Sequence, residues 1–360
     1  MIALAPLSAL YGAAVRARLA LYESGALKSH AAGAPVVSVG NLTTGGTGKT
    51  PLVEWLARSL AAGGRRVCVL TRGYGRDDER RRVVVSDGGR VLAGAREGGD
   101  EPRLLAERLL GAASIVSAAD RVAAARWAVE HLGAQVFVLD DGFQHVRLRR
   151  DLDVVTIDAT NPWGGGRLLP RGRLREPRGG IARAGVVVIT RADLAQDLAG
   201  LRAEVERLTR GRARVFESRV RTLGASQLSN ESKSSGETQA SAAMSSLEEV
   251  PRPASAFCAV GNPRAFFAQL RAEGVELQSE RAFADHHAYT QHDADALSAE
   301  AARVGARSLL TTAKDAVKLR ALAFALPLYV VETSIEIDGA ESLLRAVEEA
   351  LGLTARRESR

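Results

Sequence analysis

Residues 35–50 constrain the fold of this chain more than any other stretch. Val36, Val37 and Val39 read as a buried strand, after which the chain turns through Gly45, Gly46 and Gly48 into Lys49-Thr50-Pro51. Leu52, Trp55, Leu56 and Leu60 then recur at helical spacing, Gly63-Gly64 stops the helix, and Val67 to Leu70 resume a strand. Pro51 falls in the first helical turn, where its missing N–H costs nothing. This β-loop-α-β order calls for a mostly parallel sheet covered by helices. It predicts phosphate binding by Thr43, Thr44, Gly45, Gly46, Thr47, Gly48, Lys49, Thr50 and Pro51. Glycines let backbone N–H groups converge on an anion, Lys49 adds a point charge, the Thr50 hydroxyl offers a ligand to Mg²⁺, and the helix aims its positive end at the same place. A strict phosphate-loop pattern has glycine where Thr43 stands.

The alternation continues. Strands are predicted at 35–39, 66–71, 83–85, 114–116, 135–139, 153–157, 185–190 and 213–219, with helices at 49–62, 101–110, 118–132 and 197–209. Residues 223–253 break the pattern: they are serine-rich, bury little, and read as a flexible insertion or linker. A second alternating region follows, with strands at 255–260, 275–278, 308–311 and 327–332 and helices at 263–273, 292–304 and 339–351. The expected organisation is an N-terminal amphipathic helix over 1–30, a phosphate-loop α/β core over 31–222, the linker over 223–253, and a smaller α/β domain over 254–360 whose last elements return to the core.

Hydrophobic content of 46% and charged content of 25% are those of a soluble globular protein. Only Cys68 and Cys258 are present, each inside an apolar run, which excludes a disulfide framework and a cysteine metal site and fits a reducing cytosol. The net charge of +7 points to an acidic partner. Part of the excess sits in Arg147, Arg149 and Arg150, and part in Arg167, Arg171, Arg173, Arg175 and Arg178, interleaved there with glycine and proline as in an ordered anion-facing loop.

Residues 1–22 are apolar but interrupted by Pro6, Gly12, Arg16 and Arg18, so no spanning helix is predicted, and no basic residue precedes them as in a signal peptide. Leu7, Leu10, Tyr11, Val15, Leu19 and Tyr22 fall near one face of a helix that either packs on its own domain or lies in a membrane interface.

Val136-Phe137-Val138-Leu139 runs into Asp140 and Asp141, an apolar strand that delivers carboxylates to a magnesium ion beside a phosphate loop. Successive strand residues point oppositely, so one aspartate faces the metal and the sequence leaves open which. Asp100, just before a helical pattern, reads as a helix N-cap or as a general base. Arg72-Gly73-Tyr74 opens a loop after a strand, where ligands of open α/β sheets bind. Asp285-His286-His287 makes a poor zinc pair, and His286 matters only if it meets a carboxylate across a cleft. Thr190-Arg191-Ala192-Asp193 is a weak echo of a base-reading motif, better read as strand-end capping.

Together these segments resemble the tetraacyldisaccharide 4'-kinase family. The resemblance rests on Ser38-Val39-Gly40-Asn41-Leu42 with Gly45 to Pro51, Arg72 to Gly75, Gly99 to Pro102, Asp120-Arg121, and Leu139-Asp140-Asp141-Gly142-Phe143-Gln144-His145. Leu168 to Pro170 with Gly172 to Pro177, Gly261 to Pro263, Phe283 to His287 and Thr312 to Asp315 continue it in the family's order. That family also lacks the first loop glycine, so Thr43 is consistent with it.

The resemblance implies transfer of the ATP γ-phosphoryl group, with Mg²⁺, to the 4'-hydroxyl of a lipid disaccharide 1-phosphate in lipid A biosynthesis. It implies Asp100 and His286 as the catalytic pair, and Thr50, Asp140 and Asp141 at the metal. Asn41, Arg72, Gly73, Tyr74, Arg121, Gln144, His145, Arg175 and Glu176 are implied around the acceptor. It also implies a cytoplasmic enzyme peripherally associated with the inner membrane of a Gram-negative cell, its N-terminal helix touching the inner leaflet. No nucleic acid and no obligate protein partner are expected. A membrane-associated regulatory ATPase of the ParA/MinD type is the alternative, but its signature lysine position is occupied by Thr44. A nucleotide-dependent nucleic-acid binder fits poorly with 4% aromatic residues.

Overall fold

Buried on both faces, the valine-rich run Val36–Gly40 (β1) forms a central strand. A computed structural model describes residues 4–228 and 244–353; of the predicted linker over 223–253, residues 229–243 lie outside them. The chain forms two compact units, Met1–Val220 with Ile335–Arg360, and Arg221–Ser334. The fold is α/β and mostly parallel.

In the first unit the strands after β1 are β2 (Val67–Thr71), β3 (Val83–Ser86), β4 (Ala113–Ser117), β5 (Val136–Asp140), β6 (Leu152–Asp158), β7 (Val186–Thr190) and the unit's part of β8 (Arg214–Gln227). Their order across the sheet is β8-β7-β6-β1-β5-β2-β4-β3. These strands pair in parallel, except the edge strand β3, which runs antiparallel to β4. Because β1 lies between β5 and β6, the glycine turn leaving β1 opens beside the acidic end of β5, with Val39 in register with Asp140.

The helices are α1 (Ala5–Glu23), α2 (Lys49–Ala62), α3 (Ala95–Gly98), α4 (Asp100–Arg108), α5 (Arg121–Leu132) and α6 (Leu198–Thr209). Strand residues alternate between two cores, as the pleat requires. Val37, Val39, Val69 and Val138 pack with Leu52, Leu56 and Leu60 of α2 and with Leu105 of α4. Val36, Leu70, Phe137 and Leu139 face the other way, onto Ala124, Ala125 and Ala128 of α5.

The second unit holds β9 (Ala254–Cys258), α7 (Pro263–Ala272), β10 (Leu277–Ala282), α8 (Gln291–Arg303), β11 (Ser308–Thr312), α9 (Ala313–Leu319) and most of β12 (Leu328–Ile337), in the parallel order β10-β9-β11-β12. The chain then returns to the first unit, where Leu343 and Val347 of α10 (Ala340–Ala350) join the α2 core.

Three details depart from the sequence expectation. β8 continues to Gln227 instead of ending at 219: β12 is its neighbour in the sheet, and Ala225 and Ser245 exchange backbone hydrogen bonds of 2.9 Å, neither of which a local pattern announces. α9 was not predicted; seven residues are too few to show a period, and the helix is held by its Thr312 cap. The predicted stripe of α1 is divided: Leu7 and Leu10 are exposed, Tyr11, Val15, Leu19 and Tyr22 are half-buried, and the helix's buried residues are instead Ser8 and Gly12. Among the described residues no helix is long and apolar enough to cross a membrane.

Candidate active site

The glycine turn is held by side chains beneath it. Buried Asn41 donates from Nδ2 to Thr47 Oγ1 at 2.8 Å, and Thr47 Oγ1 lies 2.8 Å from Thr156 Oγ1 on β6. The Thr47 hydroxyl is thus spent inside the fold. Gly48 takes φ +77° before α2 begins at Lys49, a left-handed geometry that glycine adopts without strain. Thr43 stands where phosphate loops usually have glycine because its backbone pairs with Leu174, and Thr44 N–H donates to Arg173 O at 2.7 Å. Thr43 is absent from the positive-φ residues, so the position has no need of glycine. Arg175 N–H donates to Leu42 O at 2.7 Å, completing the lacing of the arginine-rich loop to the phosphate loop.

The two aspartates at the end of β5 separate in role. Asp141, at φ +50°, accepts two hydrogen bonds from Arg175 Nη1 at 2.7 and 2.8 Å and lies 3.5 Å from Lys49 Nζ. Burial alone would raise its carboxyl, but Lys49, Arg175 and the Arg175 hydrogen bond outweigh burial and hold it well below the usual carboxylate range. Asp140 is pushed up to about 7, first by burial and then by the neighbouring carboxylates Glu101 and Asp141, against the pull of Lys49 and Arg121. An inward-facing carboxylate in that electrostatic position fits a divalent cation, and Thr50 in the first turn of α2 supplies a hydroxyl.

Arg121 opens α5 behind the cap Asp120, which accepts from Val122 and Ala123 N–H at 3.1 Å. Its buried guanidinium donates to Asp141 O at 3.2 Å, and burial lowers its pKa. Gln144 Nε2 donates to Asn41 O at 2.9 Å and to Glu176 Oε1 at 2.7 Å, and Arg183 closes the group through a 2.8 Å ion pair to Glu176. Burial and then the field of Arg121 and Arg150 bring the His145 imidazole down to about 4, so it stands neutral at physiological pH.

Asp100 opens α4 behind Gly99, whose φ is +101°. The 72–75 loop positions that start: a Cβ at Gly73, already at φ +68°, would sit 2.7 Å from Gly98 O. Arg72 and Tyr74 form their own pair, Nη1 donating to the phenol at 3.1 Å with the guanidinium 4.7 Å from the ring centroid. Gly73→Ala is expected to shift the Gly98-Gly99 turn and lower kcat on the order of 10²-fold, with the fold retained and the melting temperature lower by a few degrees from the strained φ and the backbone clash. Steady-state kinetics beside a thermal melt will check it.

His286 belongs to the second unit and sits at φ +62°. Lys314 Nζ donates to Asp285 Oδ1 at 3.0 Å and lies 3.4 Å from His286 Nε2. Buried Asp315 accepts from Ala259 N–H at 3.0 Å and Thr312 Oγ1 at 2.7 Å, fixing the start of α9 against the end of β9. The sequence carries no local sign of a role for Lys314, Arg183 or Thr156: Lys314 and Thr156 meet partners 29 and 109 residues away, and Arg183 meets Glu176 seven residues back across an irregular loop.

The family profile "LpxK: Tetraacyldisaccharide-1-P 4'-kinase" matches residues 1–352. The chain belongs to this kinase family. A tetraacyldisaccharide 4'-kinase of Anaeromyxobacter sp. strain Fw109-5 is 45% identical over 359 residues, covering 97% of this chain and 92% of that protein. Another, of Anaeromyxobacter dehalogenans strain 2CP-C, is 45% identical over 311 residues, covering 86% and 79%. The crystal structure of LpxK from Aquifex aeolicus in complex with ATP superposes with a TM-score of 0.75 at 29% identity, over 98% of this chain and 100% of that one. Family membership removes the regulatory-ATPase alternative, and the missing loop glycine is no defect in a tetraacyldisaccharide 4'-kinase.

Proposed function

We propose that this chain transfers the γ-phosphoryl group of ATP to the 4'-hydroxyl of tetraacyldisaccharide 1-phosphate, forming lipid IVA. The observation that carries the reading, beside family membership, is the Lys49–Asp141–Arg175 array, which joins the phosphate loop to the arginine-rich loop. ATP lies along residues 43–51, with Lys49 against the charge that develops on the transferring oxygens. Thr50 and the Asp140-Asp141 end of β5 would hold magnesium, which would supply Lewis-acid neutralisation of the phosphate charge. Asp100 and His286 are the catalytic residues of this reading: Asp100 accepts the proton of the sugar hydroxyl, a weak nucleophile until an oriented base takes its proton. Arg121, Gln144, His145, Arg175 and Glu176, with Asn41 and the Arg72-Gly73-Tyr74 loop, surround the disaccharide. The arginine-rich loop meets its 1-phosphate.

Labelled ATP, disaccharide-1-phosphate lipid in detergent micelles, and the unaltered chain beside Lys49→Ala test the reading. Label is expected in extracted lipid with the unaltered chain only; hydrolysis of ATP without lipid phosphorylation would overturn it.

The exposed Leu7, Leu10 and Leu21 of α1, with Arg16 and Arg18 on the same helix, support a place for that helix in the interface of an anionic membrane, on the cytoplasmic side. Leu7→Glu with Leu10→Glu is expected to reduce co-sedimentation with anionic phospholipid vesicles at least severalfold. Turnover of acceptor in detergent micelles should change little; unchanged co-sedimentation would remove α1 from the membrane.

A further inference from the structure

The ends of β6 and β7 grip the glycine turn by its carbonyl oxygens. Arg191, directly after β7, donates from Nη1 to Gly46 O at 3.1 Å and, through the same nitrogen, to Asp158 Oδ2 at 2.5 Å. Asp158, the last residue of β6, is itself oriented by Thr160, whose N–H and Oγ1 donate to its Oδ1 at 3.0 and 2.7 Å. Thr190 Oγ1 lies 3.0 Å from Thr47 O and 3.3 Å from Ile157 O, the shorter contact being to the turn. Thr190 also stands behind Gly48, where a Cβ would lie 3.2 Å from its Cγ2. The carbonyls of two consecutive peptides in the turn are therefore taken by one edge of the fold.

That arrangement has a geometric consequence. The only cis peptides among the described residues precede Pro170 and Pro253, so the peptides 46–47 and 47–48 are trans. In a planar trans peptide the C=O of one residue and the N–H of the next point in opposite directions. Holding the Gly46 and Thr47 carbonyls toward Arg191 and Thr190 aims the Thr47 and Gly48 N–H groups the other way. A concave run of N–H groups binds an anion, and a carbonyl flipped into it would repel one.

We infer that Thr190 and Arg191 are positioning residues for nucleotide, a carbonyl latch that fixes the peptide orientation of the phosphate loop before ATP arrives. Asp158 holds the arginine in place. The inference rests on the reading that residues 43–51 bind nucleotide. It gives the Thr190-Arg191 pair a task beyond closing the end of β7.

The two residues act by different chemistry on adjacent peptides, so they can be tested apart. Threonine carries no charge, and Thr190→Val keeps the shape while deleting the donor; Arg191→Ala deletes donor and charge together. Calorimetric titration of Mg²⁺–ADP into the unaltered chain, Thr190→Val, Thr190→Ser, Arg191→Ala and Lys49→Ala gives the comparison. Loss of one donor to a buried carbonyl is expected to raise the ADP Kd about tenfold in both Thr190→Val and Arg191→Ala. Thr190→Ser, which keeps the hydroxyl, should stay near the unaltered value. In turnover assays the ATP KM should rise by a similar factor, while kcat at saturating ATP and the KM for acceptor stay within about threefold. Strand-end capping alone would lower the melting temperature and leave the ADP Kd unmoved, which overturns the latch. If the unaltered chain binds no ADP, the nucleotide reading itself falls. If it binds ADP, Lys49→Ala does not, and Thr190→Val and Arg191→Ala bind as the unaltered chain does, only the latch falls.

Discussion

Asp100→Ala is expected to lower kcat by about 10²–10⁴-fold while ATP affinity stays close to that of the unaltered chain. The sequence offered two roles for this residue, helix cap and general base, and the local geometry separates their energetic scales. Gly99 occupies the N-cap position and no side-chain cap bond is made there; Asp100 is the first residue of α4. A carboxylate in the first turn interacts with the helix dipole by only about 0.3–1 kcal/mol, so its removal costs little stability. Its neighbour Glu101 is close enough to Asp140 to help raise that carboxyl, and we place the Asp100 carboxylate as the base toward the acceptor. A base in that position acts on the acceptor hydroxyl, not on nucleotide binding, which is why the effect should fall on kcat. Single-turnover phosphorylation and ADP titration on one preparation will check it. A variant that melts many degrees lower, or that no longer binds ADP, would make Asp100 a structural residue.

The parts of this protein legible in its sequence are those whose physics is local or periodic. The β1-turn-α2 unit shows itself because a strand buried on both faces needs a continuous apolar run, and Val36 to Val39 supply one beside a glycine-rich turn. β5, expected over 135–139 for the same reason, is displaced by one residue at each end. The division of labour between Asp140 and Asp141 could not be read, because it depends on Arg175, more than thirty residues downstream, reaching one carboxylate and not the other. Thr190 and Arg191 looked like a strand end for a related reason: their partners are Gly46 and Thr47, over 140 residues away. In α1 periodicity pointed to an apolar stripe, yet Ser8 and Gly12 face the protein. There Ser8 Oγ donates to Leu168 O at 2.9 Å and Tyr11 to Arg175 O at 2.7 Å. Close backbone approach favours small residues over leucine, and a hydrophobic pattern does not register that.

Replacing each β5 aspartate by asparagine should give opposite results. Asp141 neutralises Lys49 and Arg175 in a site where all three side chains are mostly buried. Asp141→Asn leaves two cations facing each other across a neutral amide, which should cost about 2–3 kcal/mol, less than for a fully buried pair because these groups keep some solvent. In a protein of this size that corresponds to a fall of roughly 3–4 °C in melting temperature. Asp140 is the reverse case. Its carboxylate is buried beside Glu101 and Asp141, so without a metal its charge opposes folding. Asp140→Asn should make the metal-free protein as stable as the unaltered chain or more so, by about 1–2 kcal/mol. The same substitution removes the proposed metal ligand, so Mg²⁺ should raise the melting temperature of the unaltered chain and not that of Asp140→Asn, because a ligand stabilises only the state that binds it. Turnover should fall at least about 10²-fold in both variants, for different reasons: lost metal in Asp140→Asn, a disordered lysine-arginine array in Asp141→Asn. Scanning calorimetry with and without Mg²⁺ reads both effects at once. An Asp141→Asn protein as stable as the unaltered chain, or an Asp140→Asn protein that still gains stability from Mg²⁺, would reverse the assignment of the two carboxylates.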